Sequence, residues 1–214
     1  MNQDHILEVL LPQSGIVCSE LVCEILKWLV YIRQQAPSPF DELLKEVKAP
    51  TKQRKFISSM NSLLESQQEL FVKIQVYKIA ILFGNTVTNP KETYILDFEH
   101  PQELDSVNDP KLLKQFERNL FQQLTMFIAD AVANEIAPTK MWFFVLSKRE
   151  TESQHFCPKQ NFAIKPNWKP VTICFKQKNT AHVDQEDLVW FQSNYMIPGF
   201  ATTSSSNSED LFED

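Results

Sequence analysis

Between Val17 and Gln35 the chain carries a helical pattern with almost no wet side. At 100° per residue, Leu21, Ile25, Trp28, Leu29 and Ile32 line one side, and Val22, Leu26 and Val30 fill the side next to it. A helix apolar around most of its circumference has to be covered from more than one direction, so it belongs at the centre of a fold. Pro37 and Pro39 end it. The chain has the size to cover it. A domain of 214 residues buries roughly 70% of its unfolded surface, and 16 Phe and 4 Trp supply the bulk.

The remaining elements follow in the order helix, strands, helix, strands. A charged connection through Lys45, Glu46, Lys48 and Pro50 leads to a second helix over Gln53 to Leu70, with Phe56, Met60, Leu63, Leu64 and Leu70 as its apolar set. Val72 to Phe83 reads as a strand whose alternation changes parity near Val76, the pattern a bulge produces. Thr93 to Phe98 is a second strand after the Gly84-Asn85 turn. Asp109-Pro110 is a cap and first position for a long helix to about Ile136, stopped by Pro138. Met141 to Ser147 is apolar enough to be covered on both faces. Lys148 to Pro170 is a long polar loop of the kind that carries function. Val171 to Gln177 and Asp187 to Gln192 are the last strands, and Ala201 to Asp214 has the composition of a disordered acidic tail. This segregation predicts an α+β fold, with three main helices against a central, mostly antiparallel sheet, in one domain over residues 1–200.

Composition removes several function classes. Three Gly in the whole chain leave no glycine-rich phosphate loop. Acidic residues outnumber basic ones 27 to 21, and Glu209, Asp210, Glu213 and Asp214 hold four of the acidic charges, so the body stands at about −2. That balance gives no nucleic-acid footprint. No apolar run reaches spanning length, and Met1 to His5 shows no signal sequence, so a cytosolic or nuclear chain with reduced thiols is expected and no membrane partner. Cys18 and Cys23 stand five apart on the first helix and are not aimed at each other. His155-x-Cys157 with Cys174 or His182 offers metal-ligand types, but no pair of ligand pairs at the usual spacing. Cys157 or Cys23 with a histidine, and the carboxylates of Asp97-Phe98-Glu99 or Glu186-Asp187, are the remaining candidates for a thiol- or metal-dependent enzyme. No catalytic residue, metal or cofactor is assigned from them.

The long helix carries two apolar stripes. Leu113, Phe116, Leu120, Leu124, Phe127 and Ala131 form one, and Phe121, Thr125, Ile128 and Val132 form another about 90° away. One stripe covers the sheet. The other meets either the neighbouring helices or a partner whose pockets take aromatic anchors.

A set of short pieces runs through these elements in order. Cys23-Glu24-Ile25-Leu26-Lys27 comes first, then Tyr31 with Arg33-Gln34-Gln35, then Pro90-Lys91-Glu92 with Tyr94, Leu96 and Asp97. Ala129-Asp130-Ala131, Pro158-Lys159, Trp190-Phe191-Gln192 and Gly199-Phe200 complete it. In this order and spacing, over roughly Leu10 to Phe200, the chain resembles the comet family of HORMA-like proteins that bind the spindle-checkpoint protein Mad-two. The resemblance implies a HORMA-like fold whose carboxy-terminal segment, with Trp190, Phe191, Gly199 and Phe200, forms a safety belt lying in its own groove. It implies a monomer that pairs with closed Mad-two as a HORMA–HORMA heterodimer through the first and long helices. It also implies that Pro158 and Lys159 contact the hexameric AAA+ ATPase that remodels HORMA proteins. The expected function is therefore a non-enzymatic adaptor that presents closed Mad-two to that ATPase, takes mitotic checkpoint complexes apart and silences the checkpoint. The expected location is nucleus and cytoplasm, at the spindle or kinetochores. Two contact positions depart from the family pattern. Gln123 stands where an aromatic is expected, and Ile32 stands where a glutamine is. Phe121 or Met126 is then the expected anchor, or the client is another HORMA protein of meiosis or repair.

Overall fold

A computed structural model of the chain describes residues 5–10, 15–46, 48–98, 110–131, 135–176 and 187–200. The strands are β1 (Ile6–Leu10), β2 (Lys78–Phe83), β3 (Glu92–Phe98), β4 (Lys140–Lys148), β5 (Phe156–Pro158), β6 (Val171–Lys176), β7 (Leu188–Ser193) and β8 (Ile197–Pro198). The helices are α1 (Gly15–Ile32), α2 (Phe40–Leu43), α3 (Thr51–Lys73) and α4 (Pro110–Ala131). The strands form one sheet in the order β1-β6-β3-β2-β4-β7-β5, with β8 also paired to β4. Pairing is antiparallel except where β6 lies parallel to both β1 and β3. The fold is thus α+β with a mostly antiparallel sheet, as the order of elements predicts.

Pleating separates the sheet residues into two cores. Ile79, Ile81, Phe83, Tyr94, Leu96, Phe98, Phe143, Val145, Ile173, Phe175 and Phe191 face the helices. Ala80, Leu82, Ile95 and Phe144 face the other way, where Val87, Trp142, Phe162, Ile164, Trp168 and Trp190 cover them. Both faces of β4 are therefore occupied. On the helical side α1 lies in the middle, packed on α3, with Trp28 meeting Phe121 of α4 at a ring separation of 5.9 Å. Leu21, Val22, Ile25, Leu26 and Leu29 are fully buried, which is the position its pattern requires.

Several boundaries differ from the sequence reading. The parity change at Val76 is not a bulge. Helix α3 continues to Lys73, and Ile74 to Tyr77 is a crossing segment held by Tyr77 N–H on the Leu146 carbonyl (3.0 Å) and by Ser147 Oγ on the Gln75 carbonyl (2.8 Å). Val72 extends the helix because Phe71 beside it is buried under the sheet, while Val72 itself faces solvent. The stretch 148–170 is not one long loop. It contains the edge strand β5 and a 3-10 turn, Pro166–Trp168, and it folds back over the outer face of the sheet. Phe40 and Leu43 turn part of the charged connection into α2 by burying themselves against α3. Strand β1 was not foreseen, since five residues give little periodicity and the partner, β6, lies far along the chain. The residues 132–134 and the acidic segment 201–214 lie outside the described residues, as do Asp109, Glu99, His182 and Glu186.

Helix α1 stops in a tight C-terminal motif built without glycine. Gln35 N–H bonds the Val30 carbonyl and Gln34 N–H bonds the Tyr31 carbonyl, both at 2.9 Å, with Gln34 at φ 53°. That left-handed position is one an L-residue with a β-carbon occupies at a cost. Gln34→Gly should therefore stabilise the fold by about 1 kcal/mol, read as a raised midpoint in urea unfolding at unchanged slope.

Candidate functional site

The turn that ends α1 also closes the chain. Gln35 Nε2 donates to the Arg33 carbonyl (2.6 Å), and Gln35 Oε1 accepts from Thr139 N–H (2.7 Å). Its backbone carbonyl accepts from Phe200 N–H (2.8 Å), while Gly199 N–H bonds the Thr139 carbonyl (2.7 Å). Phe200 is buried against Phe56, ring to ring at 5.0 Å. A β-carbon on Gly199 would stand 2.5 Å from the Thr139 oxygen and 2.6 Å from Gln35 Oε1, so glycine is needed here for close approach. Next to this clasp, Arg33 is buried and bonds Glu92 through two nitrogens, Nε to Oε2 at 2.9 Å and Nη2 to Oε1, and Tyr94 Oη donates to Glu92 (2.8 Å).

Tyr31, Ile32, Phe121, Gln123 and Met126 lie on two neighbouring helices. Glu117 feels the charges of Glu24 and Glu20, Phe121 meets Trp28, and Gln34 reaches Glu135 at 3.4 Å. These pairings advance together, so α1 and α4 run side by side in the same direction. Phe121 is half-buried on Trp28 and Ile128 is fully buried, so the second stripe is partly taken up by the fold, Phe121 by the first helix. Phe121 thus packs its ring on Trp28 and keeps part of its surface exposed. Thr125 is exposed and its hydroxyl caps the Phe121 carbonyl (2.7 Å). Met126 is different. It is 73% exposed, on a face it shares with exposed Asn119, Gln122 and Gln123, with Asp130 one turn further along the helix. Tyr31, 46% exposed on α1, adds a second large side chain that the pattern of the first helix did not single out. Ile32 is half-buried. The side chains of Leu113 and of Ala129-Asp130-Ala131 lie outside the described residues.

Pro158 and Lys159 are far from this face. Pro158 ends β5 at the sheet edge, opposite Phe191, where a residue without N–H costs no ladder bond. Lys159 is exposed, but its backbone N–H bonds the Trp190 carbonyl at 2.7 Å, so it projects from an anchored edge and not from a flexible loop. Helix α4 packs over β1, at the other edge. Six steps of roughly 4.8 Å across the sheet separate those edges by about 29 Å. Trp190 faces the outer core and Phe191 the inner one.

The chemistry-bearing residues scatter. Cys174 on β6 and Cys157 on β5 are five strands apart, so they cannot share a metal with His155. Cys157 Sγ bonds Asn194 (3.1 Å), and His155 stands beside Glu69 (3.7 Å) and Tyr195 Oη (3.1 Å). Burial pushes the Cys23 thiol up to about 11 and Cys18 higher still, which removes both as nucleophiles near neutral pH. Asp97 is paired with Lys78 (2.6 Å) and Asp187 with Arg149 (2.7 Å). Among the described residues no group of three His, Cys, Asp or Glu could hold a metal ion, and no helix is long and apolar enough to cross a membrane.

What the geometry offers is an exposed helical face and a separate anchored edge, and comparison with known proteins supplies the family. The family model described as "p31comet: Mad1 and Cdc20-bound-Mad2 binding" covers residues 45–202. The chain belongs to the p31comet family. It is 26% identical to the human MAD2L1-binding protein over 216 aligned positions, which span 88% of this chain and 77% of the human one. Identity to the mouse MAD2L1-binding protein is also 26%, spanning 88% of this chain and 76% of the mouse protein. The p31comet family is a protein-interaction module and not a known enzyme family.

Two outcomes are expected. Gly199→Ala should cost about 1–3 kcal/mol in urea unfolding, because backbone and Gln35 must both move to admit one methyl group. Burial, then the charges of Glu24 and Glu20, raise the Glu117 carboxyl above its ordinary value. The folded chain then holds this proton more tightly than the unfolded chain, so stability is withdrawn as pH rises through the interval between the two values. Glu117→Gln should match the parent at the acid end of that interval and be the more stable protein above it, measured as the difference in melting temperature against pH.

Proposed function

We propose that the protein is a HORMA-like adaptor that binds Mad2 in its closed state and presents it to the hexameric AAA+ ATPase that remodels HORMA proteins. Met126 carries the first half of this reading. A large, flexible apolar side chain stands almost free on a helix beside the neutral amides of Asn119, Gln122 and Gln123, in a family described by Mad2 binding. Methionine adapts to irregular pockets, and amides pair across an interface without the desolvation cost of charges. Tyr31 and the half-buried Ile32 extend the surface along α1. Gln123, where the resemblance leads one to expect an aromatic, then contributes a hydrogen bond at the rim while Met126 fills the pocket.

The second half rests on Pro158 and Lys159. Their place at the sheet edge opposite α4 supports two docking surfaces used at once, client on one and ATPase on the other. The pairing of β7 and β8 with β4, and the closure of Gly199 and Phe200 on Gln35, support reading the carboxy-terminal segment as a belt in its own groove. A chain closed on itself in this way binds its client through helices and not by capturing a peptide. ATP hydrolysed by the partner supplies the energy to reopen Mad2, mitotic checkpoint complexes come apart, and the checkpoint is silenced. Nucleus and cytoplasm are where this work is done.

Calorimetry against closed and open Mad2 tests the client surface. The parent should prefer the closed form across an interface of roughly 1,200–2,000 Å². Met126→Glu should lose about 2 kcal/mol, on the order of thirty-fold, with unchanged circular dichroism. Unchanged affinity would remove this face from the interface. Failure of the parent to bind Mad2, with binding to a meiotic or repair HORMA protein instead, would replace the client. In a reconstituted conversion assay, the double variant Pro158→Ala, Lys159→Ala should keep Mad2 binding and lose ATP-dependent conversion, whereas normal conversion would sink the role given to this edge.

A further inference from the structure

The outer face of the sheet is basic in an acidic protein. The strap that covers it, residues 159–170, holds Lys159, Lys165 and Lys169 and no acidic residue, and Lys140 joins them from the start of β4. All four are exposed, and none takes part in a salt bridge among the described residues. Two carboxylates that share this side of the sheet, Asp97 and Glu8, are paired with Lys78 and Lys176. Under the lysines lie half-buried aromatic rings. Lys140 Nζ is 5.8 Å from the Trp142 ring and Lys165 Nζ is 5.8 Å from the Trp168 ring, while Phe162 bridges Trp168 and Trp190. Cations set over aromatic surface suit a short acidic segment that also carries an aromatic or aliphatic side chain.

We propose that this face is the docking site of the chain's own acidic segment, residues 209–214, Glu-Asp-Leu-Phe-Glu-Asp. Charge complementarity is the first argument. Four carboxylates flank Leu211 and Phe212, against four unpaired lysines around three tryptophans. The second is reach. The chain leaves the described fold at Phe200, two residues after Pro198 pairs with Lys140. Residues 201–208 are uncharged and span up to about 26 Å when extended at ~3.3 Å per residue. From Lys140 to Phe144, where Phe162 stacks at 4.0 Å, is roughly 13 Å of strand. Phe200 packs on Phe56 on the helical side, so the tether must also round the sheet, roughly 10 Å more, and the total of roughly 23 Å is within its reach. Single exposed ion pairs are weak, but a short tether gives an effective concentration on the order of millimolar, enough to hold a set of weak contacts together. Docked there, the segment competes with any acidic partner for these lysines, Lys159 included.

Zero-length carbodiimide cross-linking of the full chain, mapped by mass spectrometry, tests the proposal because it joins only carboxylates and amines already in contact. Glu209, Asp210, Glu213 and Asp214 should link to Lys140, Lys159, Lys165 and Lys169 within one molecule. Those links should fall several-fold at about 1 M salt, where the screening length is roughly 3 Å. The pair Lys165→Glu, Lys169→Glu should lose them with unchanged circular dichroism. Links spread over the α3 lysines Lys52 and Lys55, links between isotope-labelled and unlabelled copies, or none at low salt would each overturn it. Tryptophan emission gives an independent readout, since Trp142, Trp168 and Trp190 all sit on this face. Truncation after Phe200 should shift the emission, and salt should reproduce that shift in the full chain alone. Identical spectra would also overturn it.

Discussion

Gln35 ties three separate parts of the chain to a single residue. Its side chain bonds the Arg33 carbonyl and Thr139 N–H, and its backbone carbonyl takes Phe200 N–H, so the end of α1, the entry to β4 and the carboxy-terminal strand meet on one residue. The residue is almost completely buried, so each lost partner would leave a dry polar group at a cost of about 1–3 kcal/mol. The position of β8, the burial of Phe200 on Phe56, and the seating of α1 beside β3 through Arg33 and Glu92 all depend on this junction. It leaves the outward sides of α1 and α4 free of structural duty.

That division explains what the shared pattern consists of. Arg33 meets Glu92 and Tyr94, Gln35 meets Gly199 and Phe200, and Lys159 meets Trp190. Pieces far apart in the chain turn out to be bonded to one another. The pattern marks a frame, and on the proposed reading recognition falls to Met126, which lies outside the pattern, and to Tyr31, a member of it that stays exposed. Departures at Ile32 and Gln123 fall on surface that can vary without disturbing the frame. A family can keep its architecture at 26% identity on these terms.

Much of the fold was legible because it rests on local periodicity. The apolar circumference of α1 placed it at the centre, Pro110 marked the first residue of α4, and the double-sided apolarity of Met141 to Ser147 matched a strand buried on both faces. What could not be read depends on distant partners. Val72 belongs to a helix because Phe71 packs under the sheet, and β1 is a strand because β6 lies beside it. The strap over the outer face is ordered by Phe162 stacking on Phe144, which a polar, proline-bearing sequence does not announce. At the candidate surface, periodicity found the second stripe of α4 but could not tell Phe121, taken up by Trp28, from Met126, left in solvent. Gln34 escaped for another reason. A left-handed helix end is sought at glycine, and this chain has almost none.

The pairing of β1 with β6 also sets an order of events. Ile6 lies beside Thr172, 166 positions later, so β1 has no β6 to pair with until that interval has been made. At about 5–20 residues per second, synthesis of that interval takes on the order of 10–30 s. Helix α1 follows β1 directly and is apolar on nearly every side, and its covers arrive in turn, α3 by Lys73 and α4 by Ala131, with the last strands of the sheet only later. A newborn chain therefore spends those seconds with its central helix only partly covered. A partly covered apolar helix of this kind is a ready client for chaperones during translation.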